Sequence, residues 1–195
     1  MAATYTDPIL LDIPESFESE RLIIRAPLWG DGRLVNEAVT ESIAELQPWM
    51  PWAQTIPTLE QSEVNIRHAR LQFLERKDLR LQLLHKESGQ FLGGSGLHRM
   101  DWHARTFEIG YWVRTSFAKQ GYITEAVQAI TTYAIGQLQA NRVEIRCDSR
   151  NTRSALVAER AGFSLEGILR NDTYHVDGSL RNTMVFSKVR GVEYE

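Results

Sequence analysis

Two rhythms of apolar and polar positions alternate along the chain. Leu34, Val35, Ala38, Val39, Ile43 and Leu46 recur at three- and four-residue intervals and predict a helix over 30–46. Thr58, with Gln61 three residues on, carries a capping-box signature for a second helix reaching about Lys77. Ala126, Val127, Ile130, Ala134 and Leu138 predict a third over 124–138. A fourth spans 151–161 and is closed by Gly162. Elsewhere the period is two. Leu79, Leu81 and Leu83 alternate with Arg80 and Gln82, residues 87–90 form a turn, and 91–98 return as a second strand. Over 105–114, Phe107, Ile109, Tyr111 and Val113 share one face, and Glu108, Gly110, Trp112 and Arg114 the other. Val143, Ile145 and Cys147 mark a strand over 142–148, and further strands fall at 20–26, 164–170 and 180–189. The order βααβββαβαββ is that of a mixed α/β domain whose helices cover a central sheet.

The 195 residues suit one domain with its own core. Residues 1–18 have weak periodicity and contain Pro8 and Pro14. The domain is drawn over 17–190, with 1–16 as an N-terminal arm or tail and 191–195 as a C-terminal tail. The connection over 47–57 holds three prolines with Trp49 and Trp52 and reads as a loop. Aromatic rings in such a loop suit a wall of a binding site, whereas Trp29 reads as packing.

Charge and composition narrow the function. With 22 basic and 25 acidic residues, the net charge of −3 offers no broad attraction to nucleic acid or an anionic membrane. Arg67 and Arg70, and likewise Arg76, Lys77 and Arg80, read as a solvated helix face. The lone cysteine, Cys147, excludes a disulfide within the chain and alternates with core positions. No signal-peptide pattern opens the sequence, and no apolar run approaches the roughly 20 residues a bilayer span needs, so a cytoplasmic protein is expected. The five histidines lack metal-ligand spacing, and no nucleophile elbow or Walker loop occurs, so no metal is expected.

The segment Lys119-Gln120-Gly121-Tyr122-Ile123-Thr124-Glu125-Ala126 joins a strand to a helix. Gly121 lets the backbone bend close to a ligand, and the free N–H groups and dipole of the following helix favour a pyrophosphate. A Gly turn ahead of an ordinary helix has the same spelling. With this segment, Glu108-Ile109-Gly110-Tyr111-Trp112-Val113, Asn151-Thr152-Arg153-Ser154 and Ala161-Gly162-Phe163 follow in order. Together with Glu20 to Arg25, Trp49-Met50-Pro51-Trp52 and Leu165 to Arg170, they resemble the GCN5-related N-acetyltransferases, in the branch that acetylates ribosomal-protein N-termini. The resemblance covers roughly residues 17–189. It implies a central twisted mixed sheet of about seven strands flanked by about four helices. Of the family's pyrophosphate loop, Arg/Gln-x-x-Gly-x-Gly/Ala, only Gly121 is kept, with Ala118, Lys119 and Ile123 at the other diagnostic places.

That resemblance implies acetyl-CoA as acyl donor. Lys119, Gln120, Gly121, Tyr122, Ile123 and Thr124 would hold its pyrophosphate, and Tyr111, Trp112, Val113 and Asn151 its pantetheine arm. An N–H of Trp112 or Val113 would be the oxyanion donor. Ser154 would protonate the departing thiolate, since Ala158 stands where many relatives carry a tyrosine. Asn151 is also a good N-cap. Glu108 is the first candidate for the base, with Asp172, His175 and solvent as alternatives. Trp49, Trp52, Glu108 and Tyr174 would face the acceptor.

The acceptor stays open. An α-amine, with a pKa of about 7.8, is roughly a tenth neutral at pH 7, whereas a lysine amine is neutral about once in 2,500, a difference of about 3.5 kcal/mol. This leans toward a protein N-terminus or a small amine such as an aminoglycoside, polyamine or amino-acid derivative. A CoA-binding module with little turnover is the alternative of another class. Monomer and homodimer both fit.

Overall fold

A computed structural model describes residues 7–195. Its elements follow the order β1 (Ser16–Glu18), β2 (Leu22–Arg25), α1 (Gly32–Leu46), α2 (Leu59–Leu74), β3 (Leu79–His85), β4 (Phe91–Asp101), β5 (Thr106–Val113), α3 (Tyr122–Gly136), β6 (Arg142–Asp148), α4 (Thr152–Arg160), β7 (Ser164–Tyr174) and β8 (Leu180–Val189). The eight strands form one sheet in the order β1-β2-β3-β4-β5-β6-β8-β7. Seven strands and four helices are expected from the sequence. The eighth strand is β1, three residues across the boundary drawn between arm and domain that pair with β2. Residues 1–6 of that arm lie outside the described residues.

Leu22, Ile24, Leu79, Leu81, Leu83, Phe107 and Ile109 turn one sheet face toward Ala126, Val127, Ile130 and Ala134 of α3 and Ala155 and Ala158 of α4. Burying each large aliphatic side chain contributes about 1.5–3 kcal/mol. The face carrying Arg80 and Arg114 meets the other helix pair: Arg80 donates to Asn65 of α2 (2.5 Å) and Arg114 to Glu41 of α1 (2.6 Å). The expected capping box is present, with Thr58 Oγ1 accepting from Gln61 N–H and Gln61 Oε1 from Thr58 N–H.

Three expectations need correction. Helix α3 starts at Tyr122, not Thr124, because Tyr122 and Ile123 are buried in the core and burial overrides their strand propensity. Arg76 and Arg80 are not on a solvated helix face. Arg76, past the end of α2, donates to Phe73 O and Leu11 O, and Arg80 lies within β3. Trp29 is 64% exposed, with the Arg67 guanidinium 5.0 Å from its ring centre, so it is a surface ring and not core packing.

One feature of the sheet creates the site. Strands β5 and β6 are parallel and paired only over Thr106–Glu108 and Arg142–Glu144. Beyond Glu108 they part, while β5 stays registered with β4 as far as Val113. Arg114 N–H donates to Leu92 O across that pair. Hydrogen-bonded pairs alternate in an antiparallel ladder, so Trp112, Gly110 and Glu108 also turn their backbone groups to β4. Ile109 turns its N–H to the last paired residue of β6, and Tyr111 and Val113 turn theirs into the gap.

Candidate active site

A cavity of about 790 Å³ opens at this gap and reaches both sheet faces. Tyr111, Ile145, Cys147, Asn151 and Ser154 line one part, and Gln82, His98, Glu108, Gly110 and Trp112 another. Val113 and residues 119–124 are not in its lining and lie where β5 leads into α3.

Ser154 sits in the first turn of α4. Its N–H donates to the Asn151 Oδ1 (3.1 Å), so Asn151 does cap the helix, and the amide Nδ2 keeps its donors uncommitted among the described residues. The Tyr111 hydroxyl donates to Ser154 O and lies 2.9 Å from Ser154 Oγ. Burial pushes the Tyr111 phenol well above its ordinary range, with the Ser154 hydrogen bond pulling only part of the way back. The phenol is therefore a donor throughout neutral pH. Cys147 is buried in the core cluster as expected and also lines the cavity, and burial raises its thiol pKa. Of the two N–H groups considered as oxyanion donors, Trp112's is turned to Gly94 on β4 and Val113's faces the gap.

Gly121 caps α3 at φ +82°, a left-handed conformation that glycine adopts without steric cost, and Lys119 two residues earlier is also left-handed at φ +63°. The Glu125 carboxylate braces this turn. It accepts from Ser19 Oγ (2.7 Å), Arg21 N–H (2.8 Å) and Arg21 Nε (2.7 Å), while Arg21 also donates to Gln120 O (3.1 Å). Burial alone would raise the Glu125 pKa, but these hydrogen bonds and the Arg21 charge outweigh it and hold the pKa below normal. The Arg21 guanidinium lies 4.4 Å from the centre of the Tyr122 ring. The first turn is thereby locked with its backbone N–H groups pointing out of the helix end.

On the other face, Glu108 is bound by Arg99 through Oε2 (2.7 Å). Trp52 packs edge-on to Trp112 (5.9 Å), and Trp49 edge-on to His175 (6.0 Å), joining the α1–α2 connection to the β7–β8 hairpin across the cavity. Tyr174 also lines it. His175 lies between Asp148 (3.6 Å) and Asp177 (3.2 Å). Burial opposes ionisation of Asp148, but hydrogen bonds from Arg150 prevail and lower its pKa. Of the alternative bases, Glu108 and His175 line the cavity. Asp172 is outside its lining and pairs with Arg146 (3.2 Å). No motif in the sequence singles out His98 as a site residue, yet its Nδ1 lies 2.7 Å from Asp78 Oδ2 and its ring lines the cavity. Alternation in β4 puts His98 on the Glu108 side of the sheet, but nothing in the spacing announces Asp78 as its partner. No group of His, Cys, Asp and Glu suited to a metal occurs among the described residues.

A strand splayed from its parallel neighbour, with a locked helix N-terminus at one end and a serine hydroxyl in the cleft, defines a class of group-transfer site. The chain belongs to the GNAT family of acetyltransferases: the acetyltransferase (GNAT) domain matches residues 21–164. YdaF of Bacillus subtilis (strain 168), which carries the provisional name of a ribosomal N-acetyltransferase, is 30% identical over 88% of this chain and 93% of its own length. The ribosomal-protein-serine acetyltransferase of Escherichia coli (strain K12) is 27% identical over 80% and 89%. Among solved structures, the microcin C7 self-immunity acetyltransferase MccE, in complex with acetyl-CoA and AMP, superposes with a TM-score of 0.83 at 22% identity over 91% of this chain and 97% of that one. That likeness shows the fold. No helix among the described residues is long and apolar enough to cross a membrane.

Proposed function

We propose that this chain transfers the acetyl group of acetyl-CoA to an amine by direct attack, and that the acceptor is a protein N-terminal α-amine of the ribosomal-protein type. The gap between β5 and β6 carries the reading. It offers the backbone groups of Tyr111 and Val113, which lie beyond the last pair with β6, beside a serine hydroxyl held by Tyr111. The pyrophosphate binds the N–H groups of residues 121–124, with Lys119, Gln120, Tyr122 and Ile123 shaping the turn. The pantetheine arm runs along Tyr111 to Val113 and meets the Asn151 amide. Val113 N–H stabilises the oxyanion, and Ser154 protonates the leaving thiolate. The Glu108 carboxylate, with Trp49, Trp52 and Tyr174, receives the cationic amine. The names of YdaF and of the Escherichia coli relative support the ribosomal-protein acceptor.

A small amine is the second reading. It is favoured by the Trp49–His175 contact, which joins the walls of the acceptor side.

Acetyl-CoA turnover against free N-terminal peptides, the same peptides blocked at the N-terminus but carrying lysine, polyamines and aminoglycosides separates these readings. Mass spectrometry should find acetylation on the α-amine of free peptides only. Acetylation confined to small amines would replace the proposed acceptor, and silence across the panel with acetyl-CoA bound would make the protein a CoA-binding module.

A further inference from the structure

We propose that His98 accepts the proton that the acceptor amine must lose, with Asp78 as its positioning residue. The proposal rests on amine acetylation as the reaction and adds the group that makes the nucleophile.

The imidazole occupies a trough cut into the sheet. Gly96 of β4 and Gly110 of β5 are cross-strand partners. A Cβ at Gly110 would lie 3.0 Å from His98 Cδ2 and 3.2 Å from Nε2, and one at Gly96 would meet the β3 backbone at Leu79 O (2.6 Å) and Arg80 Cα (2.9 Å) as well as His98 Cε1 (3.0 Å). Both missing side chains make room for one ring on the cavity wall. Its orientation is set from behind. Nδ1 is 2.7 Å from Asp78 Oδ2, just ahead of β3, and a carboxylate can only accept there. The neutral ring therefore carries its proton on Nδ1 and presents a lone pair at Nε2. Asp78 Oδ1 is buried with no hydrogen-bond partner among the described residues, so His98 is the one hydrogen-bond partner of this carboxylate.

The other charged or imidazole groups lining the cavity are Arg80 of β3, Arg99 beside His98 on β4, Glu108 of β5, Arg146 and Asp148 of β6, Arg181 of β8, and His175. Glu108 is His98's own cross-strand partner, but its Oε2 is committed to Arg99. It can hold an ammonium, and the imidazole beside it can take the proton. One ammonium proton passes to Nε2 and on to solvent. The neutral nitrogen forms the C–N bond as the C–S bond breaks. Ser154 gives its hydroxyl proton to the sulfur and is replenished by the second amine proton. The products are amide, thiol and one released proton.

The test combines the pH profile of kcat/KM for wild type, His98→Gln and Asp78→Asn with the histidine ¹⁵N spectrum of the wild-type protein. Expected are a fall of about 10²–10⁴-fold and loss of the acid limb in His98→Gln, the range of general-base catalysis. Asp78→Asn should lose less and shift the limb, and acetyl-CoA affinity should be unchanged in both. The spectrum should show His98 as the Nδ1–H tautomer. An acid limb retained in His98→Gln, or an Nε2–H tautomer, would overturn the proposal. If wild type turned over no amine at all, the acceptor reading would fail, and the tautomer would still decide for or against the orientation argued here.

Discussion

Ser154 is held at three points. Asn151 takes its N–H, and the Tyr111 phenol takes its carbonyl and meets its hydroxyl. These contacts fix the position of Oγ in the cleft, as a proton donor to a leaving sulfur needs. Tyr111→Phe should lower kcat about tenfold at unchanged acetyl-CoA affinity, corresponding to a hydrogen bond worth about 1.4 kcal/mol, and steady-state kinetics with calorimetry would check both. A larger loss for Tyr111→Phe than for Ser154→Ala would make the phenol itself the donor. Asn151 and Ser154 were legible because a cap and its helix are neighbours in the chain. The phenol's partner was not, because the contact spans 43 residues and depends on where β5 and α4 come to lie. His98 and Asp78 were hidden for a similar reason: their pairing follows from the registry of β3 with β4 and from two glycines that the period-two pattern does not count.

At the scale of elements, the start of α3 matters most. Gly121 is left-handed, and a side chain there costs about 1–2 kcal/mol. Gly121→Ala should weaken acetyl-CoA binding about tenfold or more by misplacing the N–H groups of the first turn, while the thiol-side residues stay intact. Titration calorimetry reads this directly, and unchanged affinity would move the phosphate site elsewhere. The junction itself was legible from Gly121. Its exact start was not, because the aromatic and β-branched pair Tyr122-Ile123 spells strand as readily as a buried helical turn. Strand β1 was missed because three residues carry too little alternation to register, and its pairing with β2 defines it. Arg80 fits two readings in the sequence, a helix-end charge and an alternating strand position, and the strand reading holds, with Arg80 facing the cavity.

For the whole molecule, the order of strands puts the one short parallel pairing at the centre of the sheet, so the sheet opens where both faces are covered by helices. The fold class was legible because long periodic segments settle it, whereas the proposed acceptor side is built by two connections that meet only in space. Acid stability follows from the brace beside the gap. The Glu125 pKa is lowered in the fold, so its contribution is complete above the ordinary glutamate value of 4.5 and is lost as pH falls through the lower folded value. The melting temperature should therefore hold from neutrality to about pH 5 and drop below it, with a shallower drop in Glu125→Gln. Identical slopes would assign the acid transition to other carboxylates, such as Glu166, which Arg142 holds down to about 2. If the splayed β5–β6 gap is an acetyl-transfer site with Ser154 protonating the thiolate, kcat of Ser154→Ala at saturating acetyl-CoA should fall about 10–10³-fold at unchanged acetyl-CoA affinity; turnover equal to wild type would contradict that role.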